Sequence, residues 1–187
     1  MPGLTPSQTI GPFLTIEVPY EGEEQLVAPN HPGAIRILGA VIDGQGDAVD
    51  DALIEIWQAN AAGRYAHPED TREDVPLEDG FTGFGRCATD HEGRFEFLTV
   101  KPGPVPGPDG RSQAPHIDVS LFARGLLNRL VTRIYFPDED EANAADPVLS
   151  LIEDEAERQT LIAEQDNGAV RFDIHLQGDG ETVFFVV

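Results

Sequence analysis

Two residues in the segment QAPHIDVSLFARG (113–125), His116 and Asp118, have the types and spacing of a chelating pair. Alternate side chains on a strand leave the same face, so an imidazole and a carboxylate at i and i+2 can close on one ion. Spacing does not decide the matter, because a histidine beside a β run also serves as a hydrogen-bonded structural residue. His175 in RFDIHLQG offers a third ligand. Together, His116, Asp118 and His175 would make the facial triad of an independent mononuclear Fe(II) oxygenase, with positions open for oxygen. Oxygenases of that type that use 2-oxoglutarate place an arginine shortly after the distal histidine, and LQGDGETVFFVV contains none. A further alternative is a non-catalytic β-sandwich used only for assembly or binding.

These residues need strands to hold them, and the chain reads as all-β. AIRILGAVID (34–43) and ALIEIWQAN (52–60) have strand character on either side of a polar turn region. NAAGRYAHPEDTREDVPLEDG (60–80) has no periodicity and reads as an excursion. GRCATDHEGRFEFLTV (85–100) predicts a hairpin closed at DHEG. KPGPVPGPDGRSQAP (101–115) predicts a loop, since proline lacks a donor and glycine costs entropy in a ladder. HIDVSLFARG (116–125), RLVTRIYF (129–136), RFDIHLQG (171–178) and ETVFFVV (181–187) return to strand-type sequence.

One helical insert is predicted over 146–165, with Asp146 as cap and Pro147 in the first turn. An irregular N-terminal arm covers 1–33. Seven or so short strands with one insert and long loops favour a two-sheet β-sandwich, expected as a single domain over 1–187. Trp57 is expected in the core or an interface. Cys87 is expected to be inert, since only Arg86 in its local sequence would lower its pKa.

Composition narrows the classes of partner. With 187 residues and 40% hydrophobic content the chain can bury a real core. Its formal net charge of −22 repels phosphate backbones and anionic lipid, so neither nucleic acid nor membrane is expected as a partner. A single cysteine excludes an internal disulfide, and MPGLTPSQTIGPF lacks the regions of a signal peptide. A reducing, cytoplasmic setting is expected.

TPSQTIGPF, ALIEIWQANAAGRYAHPED, FTGFGRCATDHEGRFEFLTVKPGP, APHIDVSLFARG, TRIYF and RFDI, in that order, resemble the intradiol ring-cleaving dioxygenases. The similarity runs from Thr5 to the C-terminus, and the EIWQANAAGRY block joined to KPGP is its most specific part. The resemblance implies a β-sandwich and a family chemistry in which catechols are opened between their two hydroxyls by O₂ at a ferric ion.

In iron-binding members of that family, the ligands are a tyrosine in the GRY motif, a second tyrosine just after KPGP, and both histidines of a His-x-His pair. Tyr65 and His116 match the first tyrosine and the first histidine. Val105 stands in place of the second tyrosine and Asp118 in place of the second histidine. The resemblance therefore implies vestigial ligand positions at Tyr65, Val105, His116 and Asp118, no metal on this chain, and no catalytic residues in this chain alone. Tyr65 is expected as a buried phenol hydrogen-bonded to His116.

Some members consist of two similar chains, and this sequence resembles the α type that lacks iron. The implied partner is the β subunit, which carries the Fe(III). The implied substrates are 3,4-dihydroxybenzoate (protocatechuate) and O₂, and the implied product is 3-carboxy-cis,cis-muconate. Carried over residue by residue, the α-type contribution to the partner's pocket falls on Thr9, Gly11 and Pro12 of TIGP and on Arg124 of LFARG. A buried substrate carboxylate needs a paired cation, and Arg124 would supply it.

Overall fold

The computed structural model describes residues 4–11, 13–107 and 110–186. Two sheets form a β-sandwich. In the larger, β1 (Ala34–Ile42) pairs antiparallel along its length with β4 (Arg94–Val100). It pairs parallel, in succession, with β10 (Ala169–Arg171) and β11 (Ile174–His175), and β9 (Glu164–Asp166) flanks β10. The smaller sheet is antiparallel in the order β3 (Phe84–Ala88), β2 (Leu53–Trp57), β7 (His116–Phe122), β8 (Leu130–Tyr135). A short ladder joins β5 (Val105–Pro106) to β6 (Ser112–Gln113).

Alternation decides which residues the two sheets enclose. Ile54, Ile56, Ile117, Val119, Leu121 and Ile134 of the smaller sheet meet Ile37, Val41, Phe95 and Phe97 of the larger in one buried cluster. A polar tie crosses the same layer. The Gln58 amide donates to the Val100 carbonyl at 2.8 Å, and the Thr99 hydroxyl donates to Gln58 Oε1 at 2.7 Å, so neither buried side chain is left unsatisfied.

The odd residues of β7 thus face the core, and His116, Asp118 and Ser120 face outward. That outer face is where the candidate site lies. Between β10 and β11 the chain bends toward β1, and a Cβ on Gly39 would lie 1.9 Å from the Phe172 carbonyl oxygen. No other residue fits there without moving backbone. Asp173 fills the gap in the ladder by accepting from the Ala40 N–H at 3.0 Å.

Several expectations change. The hairpin over 85–100 is an arch between sheets. The turn closes locally, with Asp90 N–H on Arg94 O at 2.9 Å, but β3 then pairs with β2 and β4 with β1. The single helical insert over 146–165 is divided. Helix α2 (Asp140–Ala145) precedes it, a 3-10 turn spans Leu149–Leu151, α3 (Glu155–Gln159) follows, and Glu164 and Gln165 belong to β9. Asp146 does cap, but it caps the 3-10 turn, accepting from Val148 and Leu149 N–H, while Asp154 caps α3.

ETVFFVV forms no ladder among the described residues. Its Phe185 N–H reaches Val131 O at 2.7 Å, but Val183 is held by side chains, Thr132 Oγ1 on its carbonyl and Thr160 Oγ1 on its N–H. The 101–115 loop carries the β5–β6 ladder, and the N-terminal arm contains a one-turn helix α1 (Leu14–Glu17).

Candidate functional site

Backbone packing sets the positions of Tyr65 and Val105. Gly63 lies in the left-handed region at φ 83°, and a Cβ there would meet the Pro104 carbonyl at 2.2 Å. Gly103 N–H in turn donates to Asn60 O at 2.9 Å. The two segments lock together through glycine backbone, which accounts for why GRY and KPGP occur as a pair. Tyr65 projects from one segment and Val105 from the other, beside the start of β7.

At that start His116 is buried, and its Nδ1 lies 2.7 Å from the Ala114 carbonyl. A carbonyl only accepts, so Nδ1 carries the proton and Nε2 is a bare lone pair. Nε2 has no hydrogen-bond partner and lies 3.9 Å from Asp118 Oδ2. Burial, the largest influence, holds the imidazole below its ordinary pKa, so the ring is neutral.

Asp118 is engaged elsewhere. It sits opposite Arg133 in the β7–β8 register, and Arg133 Nε donates to Asp118 Oδ1 at 2.8 Å. Arg133 Nη1 also donates to Gln113 Oε1 at 2.6 Å and lies 3.3 Å from the Tyr135 hydroxyl. Burial works against that charge, but Asp118 and Tyr135 outweigh it and hold the guanidinium above its ordinary pKa.

Behind it, buried Asp146 fixes the loop. Its carboxylate accepts from Ala114 N–H at 2.8 Å, from Val148 N–H at 2.7 Å and from Leu149 N–H at 2.9 Å, and faces the Tyr135 hydroxyl at 3.3 Å. The Tyr135 phenol is raised by burial first.

The expected bond from Tyr65 to His116 is absent. Nδ1 of His116 is taken by Ala114, and Nε2 stands alone. Tyr65 instead stacks on Trp57, with ring centroids 6.0 Å apart and planes within 5°, and His67 meets Trp57 edge-on. Trp57 is thus half-buried in an aromatic wall, not in the core. Burial, then the Asp118 charge, pushes the Tyr65 phenol up to about 12. The wall borders an open depression of about 610 Å³ whose rim includes Asp70 and Arg72. Arg72 grips Asp70 through Nε at 2.8 Å, and that hydrogen bond, with others, holds the Asp70 carboxyl well below the usual carboxylate range.

A ferric ion does not fit these residues. Val105 is buried and has no donor atom, and Asp118 is already neutralised by a guanidinium standing where positive charge would go. The ferrous triad fails for a different reason. His175 belongs to β11 in the opposite sheet, with the hydrophobic layer between it and His116. Among the described residues no three His, Cys, Asp or Glu side chains come together as a metal site. Cys87 is partly buried, and burial pushes its thiol up.

The other predicted residues gather at the far end of β7. Gly125 N–H donates to Thr9 Oγ1 at 2.7 Å, and Ser7 Oγ donates to Asn128 Oδ1 at 3.4 Å, so the N-terminal arm is stitched to the turn after β7. Arg124 projects from that turn with 59% of its side chain exposed and its Nε paired to the less exposed Asp51 carboxylate. Gly11 is exposed and lines a shallow apolar depression with Ile10 and Phe13. Pro12 lies outside the described residues. Phe13, Ile16, Tyr20 and Leu127 are left more than half exposed.

His116 and Phe122 are six steps apart on one strand, so this second cluster lies roughly 20 Å from the first at about 3.3 Å per residue. The sequence reading missed Arg133, and it read Asp146 only as a local cap. The signal for Arg133 was available, because pairing HID with RIY as antiparallel neighbours sets Asp118 against Arg133. The bonds of Asp146 to Ala114 N–H and the Tyr135 hydroxyl gave no such signal, since they depend on tertiary contact.

Comparison with known proteins gives consistent relatives. A family model described as Dioxygenase matches residues 19–178. The protocatechuate 3,4-dioxygenase alpha chain of Pseudomonas putida is 45% identical, over 97% of this chain and 95% of that one. The alpha chain of Burkholderia cepacia is 41% identical, over 98% and 97%. The beta chain from B. cepacia is 47% identical over 69% of this chain and 54% of its own length. Among solved structures, hydroxyquinol 1,2-dioxygenase of Pseudomonas putida DLL-E4 shares the fold, with a TM-score of 0.61 at 17% identity, covering 90% of this chain and 66% of that one. The dioxygenase domain of a carbohydrate-binding fusion from Streptomyces sp. SirexAA-E gives 0.57 at 24% identity, over 96% and 100%.

Proposed function

This chain belongs to the intradiol dioxygenase family, and from that premise we propose that it is the α subunit of a protocatechuate 3,4-dioxygenase. In this reading it forms a heteromer with an iron-bearing β subunit, and the complex cleaves 3,4-dihydroxybenzoate with O₂ to 3-carboxy-cis,cis-muconate. The family uses iron, and the Fe(III) belongs to the partner.

One observation carries the proposal: the residues suited to bind a substrate and those left from a metal site lie at opposite ends of β7. Arg124 lies too far along β7 to serve a ligand held at His116, which supports a role at a pocket on another chain. Exposed apolar residues in the same turn, Leu127, and on the N-terminal arm, Phe13, Ile16 and Tyr20, support a partner surface.

The role of each residue follows from its surroundings. Asp51 pairs with Arg124 through Nε as an ion pair, and the guanidinium would meet the substrate carboxylate in the partner's pocket. Thr9 spends its hydroxyl on Gly125 N–H, which fixes the arm beside Arg124. Gly11, with no side chain, lets backbone approach the aromatic ring, and Pro12 would stiffen that approach. Packed over the partner's pocket, the arm excludes water from the carboxylate and strengthens its pairing. No helix among the described residues is long and apolar enough to cross a membrane, and we place the complex in the cytoplasm.

The test is complementation. Adding this chain to the β subunit expressed alone should raise turnover of 3,4-dihydroxybenzoate to a saturating plateau. Turnover by the β subunit that is unaffected by this chain would refute the proposal.

A further inference from the structure

The metal-site remnant on this chain is not merely incomplete. Nε2 of His116 is a lone pair without a partner on a side chain only 2% exposed, and Asp118 Oδ2 lies 3.9 Å away. A buried acceptor in that state is costly, and it asks for either a proton donor or a cation. Arg133 supplies positive charge to the cluster without satisfying Nε2. Its guanidinium is fixed on three sides by Asp118, Gln113 and Tyr135.

Gln113 is itself the ladder partner of Val105, so the apolar substitution and the arginine belong to one packed unit. We propose that His116 and Asp118 are a latent divalent-cation site held shut by the chain's own Arg133, whose fixed charge excludes a metal ion that the two side chains would otherwise chelate. The ion would be a first-row divalent metal, which suits imidazole with carboxylate. Tyr65 stands beside the cluster as a neutral phenol. The proposal uses no partner chain and is independent of the function assigned above.

Cobalt(II) absorbance reads the site directly in the full-length chain. The wild-type protein and Arg133→Lys, which keeps the charge, should show no stoichiometric uptake. Arg133→Met should take up one equivalent, bound at least about tenfold more tightly than by wild type, as expected when a like charge is removed from a partly buried site. Zinc(II) should displace it, and His116→Ala in the Arg133→Met background should abolish it.

Arg133→Gln, which keeps an amide for Asp118 and Gln113 without the charge, is made alongside in case the methionine variant does not fold. Near-UV circular dichroism establishes the native state of each. Uptake by wild type or Arg133→Lys equal to that of the neutral variants overturns the proposal. So does a natively folded neutral variant that takes up no metal.

Discussion

Replacing Arg124 by glutamine removes the cation assigned to the substrate carboxylate and leaves the arm intact, because Thr9 is bonded to Gly125 N–H and not to the arginine. In the isolated chain this side chain is 59% exposed, so the substitution should not unfold it. In the proposed complex the guanidinium would be covered together with the substrate carboxylate. A charge-assisted hydrogen bond lost from a buried carboxylate costs about 2 to 4 kcal/mol, or about 30- to 900-fold in kcat/KM.

The assay is O₂ uptake by the reconstituted complex on two substrates, 3,4-dihydroxybenzoate and catechol. Catechol has no carboxylate, and its kcat/KM should change by less than about threefold, within what a surface substitution does. A large loss on 3,4-dihydroxybenzoate with catechol spared supports the role. Equal effects on both substrates, or none on either, would refute it.

Other expectations follow from the same contacts. Asp51→Asn should weaken 3,4-dihydroxybenzoate turnover by a smaller factor, at most about fivefold, because the guanidinium is kept but loses its ion-pair partner, a cost near that of one partly exposed pair. Asp146→Ala strands three backbone N–H groups and the Tyr135 hydroxyl, and should lower stability by about 3 to 5 kcal/mol, read as a fall in the urea midpoint. Gly39→Ala should prevent β10 and β11 from closing on β1 and yield little folded protein, since its Cβ would overlap the Phe172 carbonyl at 1.9 Å.

Tyr65 keeps its proton up to about pH 12, whereas an unfolded tyrosine loses it near 10. Its contribution to stability is therefore complete below pH 10 and is lost as pH rises toward 12. Absorbance titration of wild type against Tyr65→Phe isolates this phenol, and ionisation near pH 10 in the folded protein would contradict its burial.

Strand positions were legible where alternation coincided with burial. In HIDVSLF every second residue is apolar and faces the core, and β7 lies where that pattern put it. Pairing was less legible. The Asp90–Arg94 turn has the same local form whether the flanking strands pair with each other or part, and it is the pairing of β3 with β2 and of β4 with β1 that parts them. The split helical segment has a similar cause, for Asp146 is spent on the 112–115 side of the loop as well as on its own turn.

The short β9–β10 hairpin carried a turn signal just beyond the predicted helical insert. Asn167 and Gly168 both have positive φ, the usual chemistry of a two-residue turn. At the site, the two altered ligand positions followed from the family resemblance, whereas the arginine beside them depends on strand register.

The central claim is that the reactive iron belongs to a companion chain, and metal analysis of separated subunits tests it most directly. Co-expressed with its partner and then resolved under mild denaturant, this chain should carry no stoichiometric iron, and the iron of the complex should follow the β subunit. A tightly held, coloured ferric-tyrosinate centre recovered on this chain by itself would contradict the account.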